Sequence, residues 1–303
     1  MGFASFIMLI SGIMGALSNL CMRKSMDARG TVGSFFFFQM LFTTCVVTFM
    51  HPIHTGCYSI NLYTLSMGTA CGLALGFLKY MMGFALQKGP ASLTFASVNC
   101  ASVAPSIIFA TCFASLVDFP YTSWNLLGSA LVCAGLLWAI NHQTKWRHKW
   151  SWIIFAATAF GVQTLYLVLT QWHVFIRQNV HWLSEMMRYG SDQVHSEWFV
   201  PVVFGVAAIM HFILFLVREK RLPTKAEAIC GILGGLCNGA CAYLFMQATD
   251  LATGCERALL FPLFSVSLII TCNLWGEWLY KEMVNWKANA LCIAGLIVGT
   301  MEA

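Results

Sequence analysis

Apolar residues run along the chain in ten long blocks separated by polar breaks. The blocks cover 3–22, 33–51, 62–87, 90–117, 123–141, 151–172, 198–217, 226–248, 251–276 and 284–301. A helix that crosses a bilayer needs about 20 mostly apolar residues, so the pattern predicts ten transmembrane helices. Most breaks are short. The exception is 173–197, where charged residues mix with Trp182, Met186 and Met187. That mixture predicts an interfacial amphipathic helix ending near Gly190. No Lys or Arg precedes the first block, so it reads as a retained helix rather than a cleavable signal peptide.

Composition sharpens the class. Apolar residues make up 59% of the 303 and charged residues 10%, with a mean hydropathy of +0.73. Soluble domains carry about 25% charged residues, so a soluble fold is excluded and membrane lipids are the expected surroundings. The net charge of +5 comes from no dense basic run, and no nucleic-acid partner is expected. Thirteen of the 17 Lys and Arg residues fall in the breaks after helices 1, 3, 5, 7 and 9. Positive charge marks the cytoplasmic side. Both termini are therefore expected outside, in a bacterial inner (plasma) membrane.

Most of the 13 cysteines lie inside apolar blocks, and no Cys-x-x-Cys occurs; they read as small packing residues. The histidines show no metal-ligand spacing, and no Gly-rich phosphate loop or Gly-x-Ser-x-Gly turn is present. Neither a metal nor a cofactor is expected.

Sliding the chain by 160 residues sets NLLGSALVCAGL (125–136) on NWKANALCIAGL (285–296), with Asn, Ala, Leu, Ala, Gly and Leu recurring. The same offset pairs Gln87 with Gln247, and helices 4 and 9 each carry one proline, Pro105 and Pro262. Two halves follow, 1–143 and 144–303. Five helices are an odd number, so the halves must lie in opposite orientation. The predicted fold is an all-α integral membrane protein of ten transmembrane helices in two inverted five-helix repeats, a layout common among secondary transporters.

The segment GALSNLCMRK (15–24) resembles the first-helix motif of the drug/metabolite transporter superfamily, Trp-Gly-Ser-Asn followed by a basic residue. Residues 251–299 resemble that family's last two helices, including the Gly-Glu turn at Gly276–Glu277. Met14 stands where the motif usually has Trp. The charge pattern is more similar to the sugar-uptake branch than to EamA-type members, which are read with the N-terminus inside. The resemblance implies an α-helical transporter with a cavity lined mainly by helices 1, 3, 4, 6, 8 and 9.

Ionisable groups inside helices are costly and need a reason. Lys79 lies in GLALGFLKYMMG at helical spacing from Gly72, Gly76 and Gly83, a face on which another helix approaches closely. It reads as an anion site, or as a lysine snorkelling to the boundary. Ser92, Asn99, Ser102 and Ser106 align along helix 4. Helix 1 carries Asn19, helix 6 Gln163 and Tyr166, and helix 8 Asn238, Tyr243 and Gln247. Their concentration predicts a polar cavity, although each is also ordinary interhelical glue. Glu256 and Arg257 open helix 9 as candidates for gating or ion coupling.

The expected function is that of a secondary transporter or facilitator. It would move a small organic metabolite, anionic or zwitterionic, by alternating access, and it is not expected to be an enzyme. The alternative is a membrane-embedded enzyme or lipid-handling protein, for which Glu256 with Arg257 is the available dyad. Small residues on helices 5 and 10 suit a homodimer or internal packing.

Overall fold

The computed structural model describes residues 3–56, 58, 60–104, 108, 112, 123–142, 149–178, 197–251 and 256–298. These form ten helices in chain order. They are α1 (Phe3–Asp27), α2 (Val32–Thr48), α3 (Leu62–Lys88), α4 (Ala91–Asn99) and α5 (Ser123–His142). The second five are α6 (Lys149–Gln178), α7 (Phe199–Glu219), α8 (Lys225–Leu251), α9 (Glu256–Tyr280) and α10 (Trp286–Val298). A π-helical turn, Phe49–Ile53, extends α2 through Pro52, and a 3-10 turn, Cys100–Val103, extends α4. Among the described residues no strand occurs.

Six helical spans are long and apolar enough to cross a membrane: Phe3–Asp27, Val32–Ile53, Leu62–Lys88, Trp150–His173, Phe199–Glu219 and Lys225–Thr249. The regular structure of the described residues is thus all-helical, with apolar helices of membrane length. Only helices satisfy their own backbone groups in such surroundings without closing a barrel. The break expected to begin at 173 starts later, because α6 continues to Gln178. The interfacial helix expected beyond it lies outside the described residues, as do Pro105 and Ser106.

Eight helices close into a ring. In order around it, α3 packs on α7, α7 on α2, α2 on α8, α8 on α1, α1 on α9, α9 on α4, α4 on α6, and α6 back on α3. The pair α5–α10 stands beside the ring, touching α4 and α9.

Glycines set the closest approaches. A Cβ on Gly72 would meet the Val203 carbonyl oxygen at 2.6 Å and Val206 Cβ at 2.7 Å, so α3 and α7 pack backbone to backbone. Gly68 meets Phe199 and Val202, and Gly76 meets Met210, along the same seam. On the far side of the ring a Cβ on Gly235 of α8 would meet the Gln39 carbonyl oxygen at 2.6 Å and Phe42 Cβ at 2.7 Å of α2. There Gly231 meets Phe35 and Phe38, and Gly239 meets Val46. The small residues of α5 and α10 are spent on each other: Gly135 faces Ala288 and Cys292, while Gly295 faces Gly128 and Val132. A homodimer through these helices would have to use their other faces.

The helix ends near Arg23, Lys88, Arg218 and Lys281 meet at one end of the ring, here the basic end. Glu227 anchors it. Thr224 and Glu227 form a capping box at the start of α8: Thr224 N donates to Glu227 Oε2 at 2.6 Å, and Glu227 N donates to Thr224 Oγ1 at 3.3 Å. The same carboxylate accepts from Thr31 N at 2.6 Å, Thr31 Oγ1 at 3.1 Å and Arg221 Nη1 at 2.9 Å. This bonding ties the α1–α2 loop to the α7–α8 loop. It also raises the Arg221 guanidinium above its ordinary pKa.

Candidate functional site

Lys79 projects from α3 toward the middle of the ring. It is half-buried and makes no hydrogen bond or ion pair with any described residue. One turn before it, Gly76 packs against Ala207 and Met210 of α7, the helix that carries His211. Tyr166 of α6 packs against the buried cluster that includes Cys71.

His211 is 0% exposed, and its ring lies 5.1 Å from that of Phe36, centroid to centroid. Cys71 is also fully buried. Gln163 shares with Tyr166 the face of α6 opposite the exposed Ile154 and Leu165, and it is half-buried with no hydrogen bond to the described residues. Lys79, Tyr166 and Gln163 are the expected site residues that the ring brings inward.

The other expected residues go elsewhere. Asn19 donates to Cys272 Sγ of α9 at 3.8 Å, and Asn238 donates to Thr43 Oγ1 of α2 at 3.1 Å. Both join neighbouring helices. Asn99 turns back on its own helix, its Nδ2 donating to the Phe95 carbonyl oxygen at 2.7 Å. Ser102 reaches Ser265 of α9 at 2.9 Å.

Tyr243 meets His51 of the π-helical turn edge-on, with centroids 6.1 Å apart. Gln247 shares a helical stripe with Ile229, Leu233, Leu236 and Leu251, all exposed, so it lies on the outward face of α8. Gln247 is itself half-buried, six residues from Cys241 and about 240° around the helix from it. Glu256 and Arg257 open α9, but their side chains, like that of Ser92, lie outside the described residues.

The basic end of the ring is closed. Arg23 Nη1 on α1 donates to the Leu86 carbonyl oxygen on α3 at 3.5 Å, and these two helices stand opposite each other across the ring. The Arg23 guanidinium lies 5.1 Å from the centre of the Tyr280 ring, and its Nε sits 3.3 Å from Asp27. Met22, Met82, Leu86, Phe95 and Trp275 fill the space in one buried cluster. A separate cavity of about 190 Å³ opens among the helix ends there, lined by Gly30, Thr31, Tyr80, Gln87 and Arg218.

Sequence reasoning missed that His211 stands fully buried on the helix that packs against the one carrying Lys79. A lone histidine in an otherwise apolar helix is the signal that pointed there. The Thr-x-x-Glu capping box at 224–227 was equally legible.

No family model matches the chain, and no curated protein does. Among solved structures seven chains are similar. One, described as "Crystal structure of protein", superposes with a TM-score of 0.63 over 98% of this chain and 95% of its own, at 14% identity. At that identity the likeness is one of fold, and it runs from end to end.

Proposed function

We propose that this chain is a secondary transporter or facilitator of a small organic metabolite, anionic or zwitterionic, in the drug/metabolite transporter superfamily. It works by alternating access, with the basic end in the cytoplasm and both termini outside a bacterial inner membrane. The halves 1–143 and 144–303 are inverted repeats.

One observation carries this reading: the packing of the first half recurs in the second with helices exchanged. Adding 163 to Gly68, Gly72 and Gly76 gives Gly231, Gly235 and Gly239. Adding 164 to Phe35, Phe38, Gln39, Phe42 and Val46 gives Phe199, Val202, Val203, Val206 and Met210. Each glycine faces the counterpart of the residue its own mate faces. Beside the ring the same holds at an offset of 160, where Gly135 faces the mates of the residues that Gly295 faces. Ser102 bonds its own mate at 163, Ser265. Renaming every helix n as n + 5 returns the same ring. Two bundles joined along equivalent glycine seams have two equivalent arrangements, which is what rocking about a central site requires. Lys79, uncompensated by any described carboxylate, supplies the attraction for an anion at that site.

The test is counterflow in proteoliposomes with labelled organic anions and amino acids. Accumulation against preloaded unlabelled solute, abolished by Lys79→Gln, supports the proposal. Folded protein that exchanges nothing, or that turns over a solute in detergent with no membrane present, ends it.

A further inference from the structure

Resting on that reading, we infer that His211 is the proton site of the transport cycle. The described state holds its ring neutral, and the state that opens the basic end takes a proton on it. What points there is a buried polar ring that packing alone does not require.

His211 is 0% exposed, and neither ring nitrogen has a hydrogen-bond partner among the described residues. A neutral imidazole carries one donor and one acceptor, and leaving both unmet inside a protein is unfavourable. The ring stands in the inward stripe of α7 with Phe204, Ala207, Ala208 and Phe215, all buried. On the proposed pairing of the halves, the offset that takes Val46 to Met210 takes Val47 to His211. Val47 is 1% exposed, so the equivalent position in the other half is filled by an apolar side chain. Packing is met there without a polar atom.

A route for a proton comes close to this ring from the basic end. Gly68, Gly72 and Gly76 of α3 face Val202, Val206 and Met210 of α7 in turn. The two helices therefore run parallel, and Lys79 and Tyr80 come level with His211 and Leu214. Tyr80 and Leu214 line the cavity of about 190 Å³ among the helix ends, so that cavity comes within about one helical turn of His211. The Tyr80 ring lies 5.4 Å from the Arg218 guanidinium, and its hydroxyl is buried with no hydrogen-bond partner among the described residues. From the other side α2 presents Phe36, 5.1 Å away, and its titratable Cys45 is exposed. On α7 itself the nearest charged residues, Arg218 and Glu219, stand about two turns off. Lys79 has the sign of an imidazolium, and the carboxylates with described side chains stand at helix ends or in loops. No described side chain in the seam offers the charged ring a counter-ion, so a proton on His211 disfavours this state. Water entering between Tyr80 and Leu214 as the basic end opens would solvate it. Imidazole changes charge between about pH 5 and about pH 8, so acid moves the population from the described state toward the open one.

The first arm of the test needs no solute. Spin labels are placed by unnatural-residue chemistry at Lys24 and Lys88, in the last turns of α1 and α3 at the basic end. Their separation is read by pulsed electron paramagnetic resonance on the full chain in lipid nanodiscs. Between about pH 8 and about pH 5 the wild-type distances are expected to move from a short to a longer population. His211→Gln and His211→Val carry no proton at this position and should hold one distribution throughout. The second arm uses counterflow proteoliposomes with labelled leucine, glutamate, lactate and succinate. A pH step of about one unit at clamped voltage should concentrate the exchanged solute about tenfold over protein-free vesicles, as one proton per solute gives. His211→Val should lose that accumulation, while exchange at equal pH falls no more than severalfold.

Wild-type distances that ignore pH overturn the inference, and so does the same movement in a folded His211→Gln or His211→Val protein. Solute exchange that ignores the pH step also overturns it and leaves the transporter reading standing. Movement that needs His211, with no solute exchanged, supports the proton site and ends the transporter reading instead.

Discussion

Gly72→Ala and Gly235→Ala are expected to destabilise the protein by the same amount, although they lie on different helices with different neighbours in sequence. At Gly72 an added Cβ would come within 2.6 Å of the Val203 carbonyl oxygen and 2.7 Å of Val206 Cβ; at Gly235 the distances to Gln39 O and Phe42 Cβ are 2.6 and 2.7 Å. Backbone carbonyls cannot swing aside as a side-chain tip can, so the helices must separate. Overpacking of this kind costs roughly 1–3 kcal/mol. Alanine returns up to about 1 kcal/mol as the better helix former. The net expectation is about 1–2 kcal/mol of destabilisation at each site.

Gly161→Ala is the control. Nothing lies within 4 Å of its added Cβ, so helix propensity alone acts and the change should be neutral or stabilising by up to about 1 kcal/mol. The assay is reversible unfolding of the purified protein in mixed micelles, read by helix signal against denaturant mole fraction. A Gly72→Ala protein as stable as Gly161→Ala refutes the close-packed seam. Costs at Gly72 and Gly235 that differ by more than about 1 kcal/mol refute the equivalence of the two seams.

Other expectations follow from single contacts. Glu227→Ala strands Thr31 N, Thr224 N and Arg221 at the basic end and should cost about 3 kcal/mol in the same unfolding assay; a loss under about 1 kcal/mol would mean that the carboxylate does not tie the two loops. Ser102 and Ser265, 2.9 Å apart, should show a coupling of about 0.5–1.5 kcal/mol in a double-mutant cycle of alanine substitutions, and strict additivity would place the hydroxyls apart. Lys281 adopts a left-handed backbone with φ +52° just past α9. Lys281→Gly should relieve that strain and stabilise by up to about 1 kcal/mol, whereas destabilisation would show that the side chain matters more than the backbone.

The helices were legible because bilayer length and apolar composition leave a long block little else to form. Register was harder. A slide of 160 residues finds the α5–α10 match but pairs Gln87 with Gln247, which on the ring's offset of 163 are not mates; Gln247 answers to Phe84 instead. On the proposed pairing, the slip of three residues falls between Ser102 and Gly128 in the first half, where the chain is longer than between Ser265 and Ala288. A difference in a connection leaves helix packing untouched while shifting every alignment that crosses it. Among site residues, Lys79 declared itself because a charge in an apolar helix needs a reason. The asparagines did not, since a polar side chain that bridges helices and one that lines a cavity look alike in sequence; only partners such as Thr43 or Cys272 separate them.

The two halves are not in the same state at the basic end, and that asymmetry bears on how Lys79 is reached. Here α1 and α3 meet across the ring through Arg23 and Leu86, over a plug that includes Met22, Met82 and Trp275. Lys79 lies two helical turns from Leu86 along α3, on the side of the plug away from the basic end. Lys79 is therefore barred from the basic end by packed side chains. On the proposed exchange of halves, the helices that would close the other end are α6 and α8, the mates of α1 and α3. Rocking along the glycine seams then separates Arg23 from Leu86 as it brings α6 and α8 together, and because those seams are backbone contacts between rigid helices, the two movements are coupled.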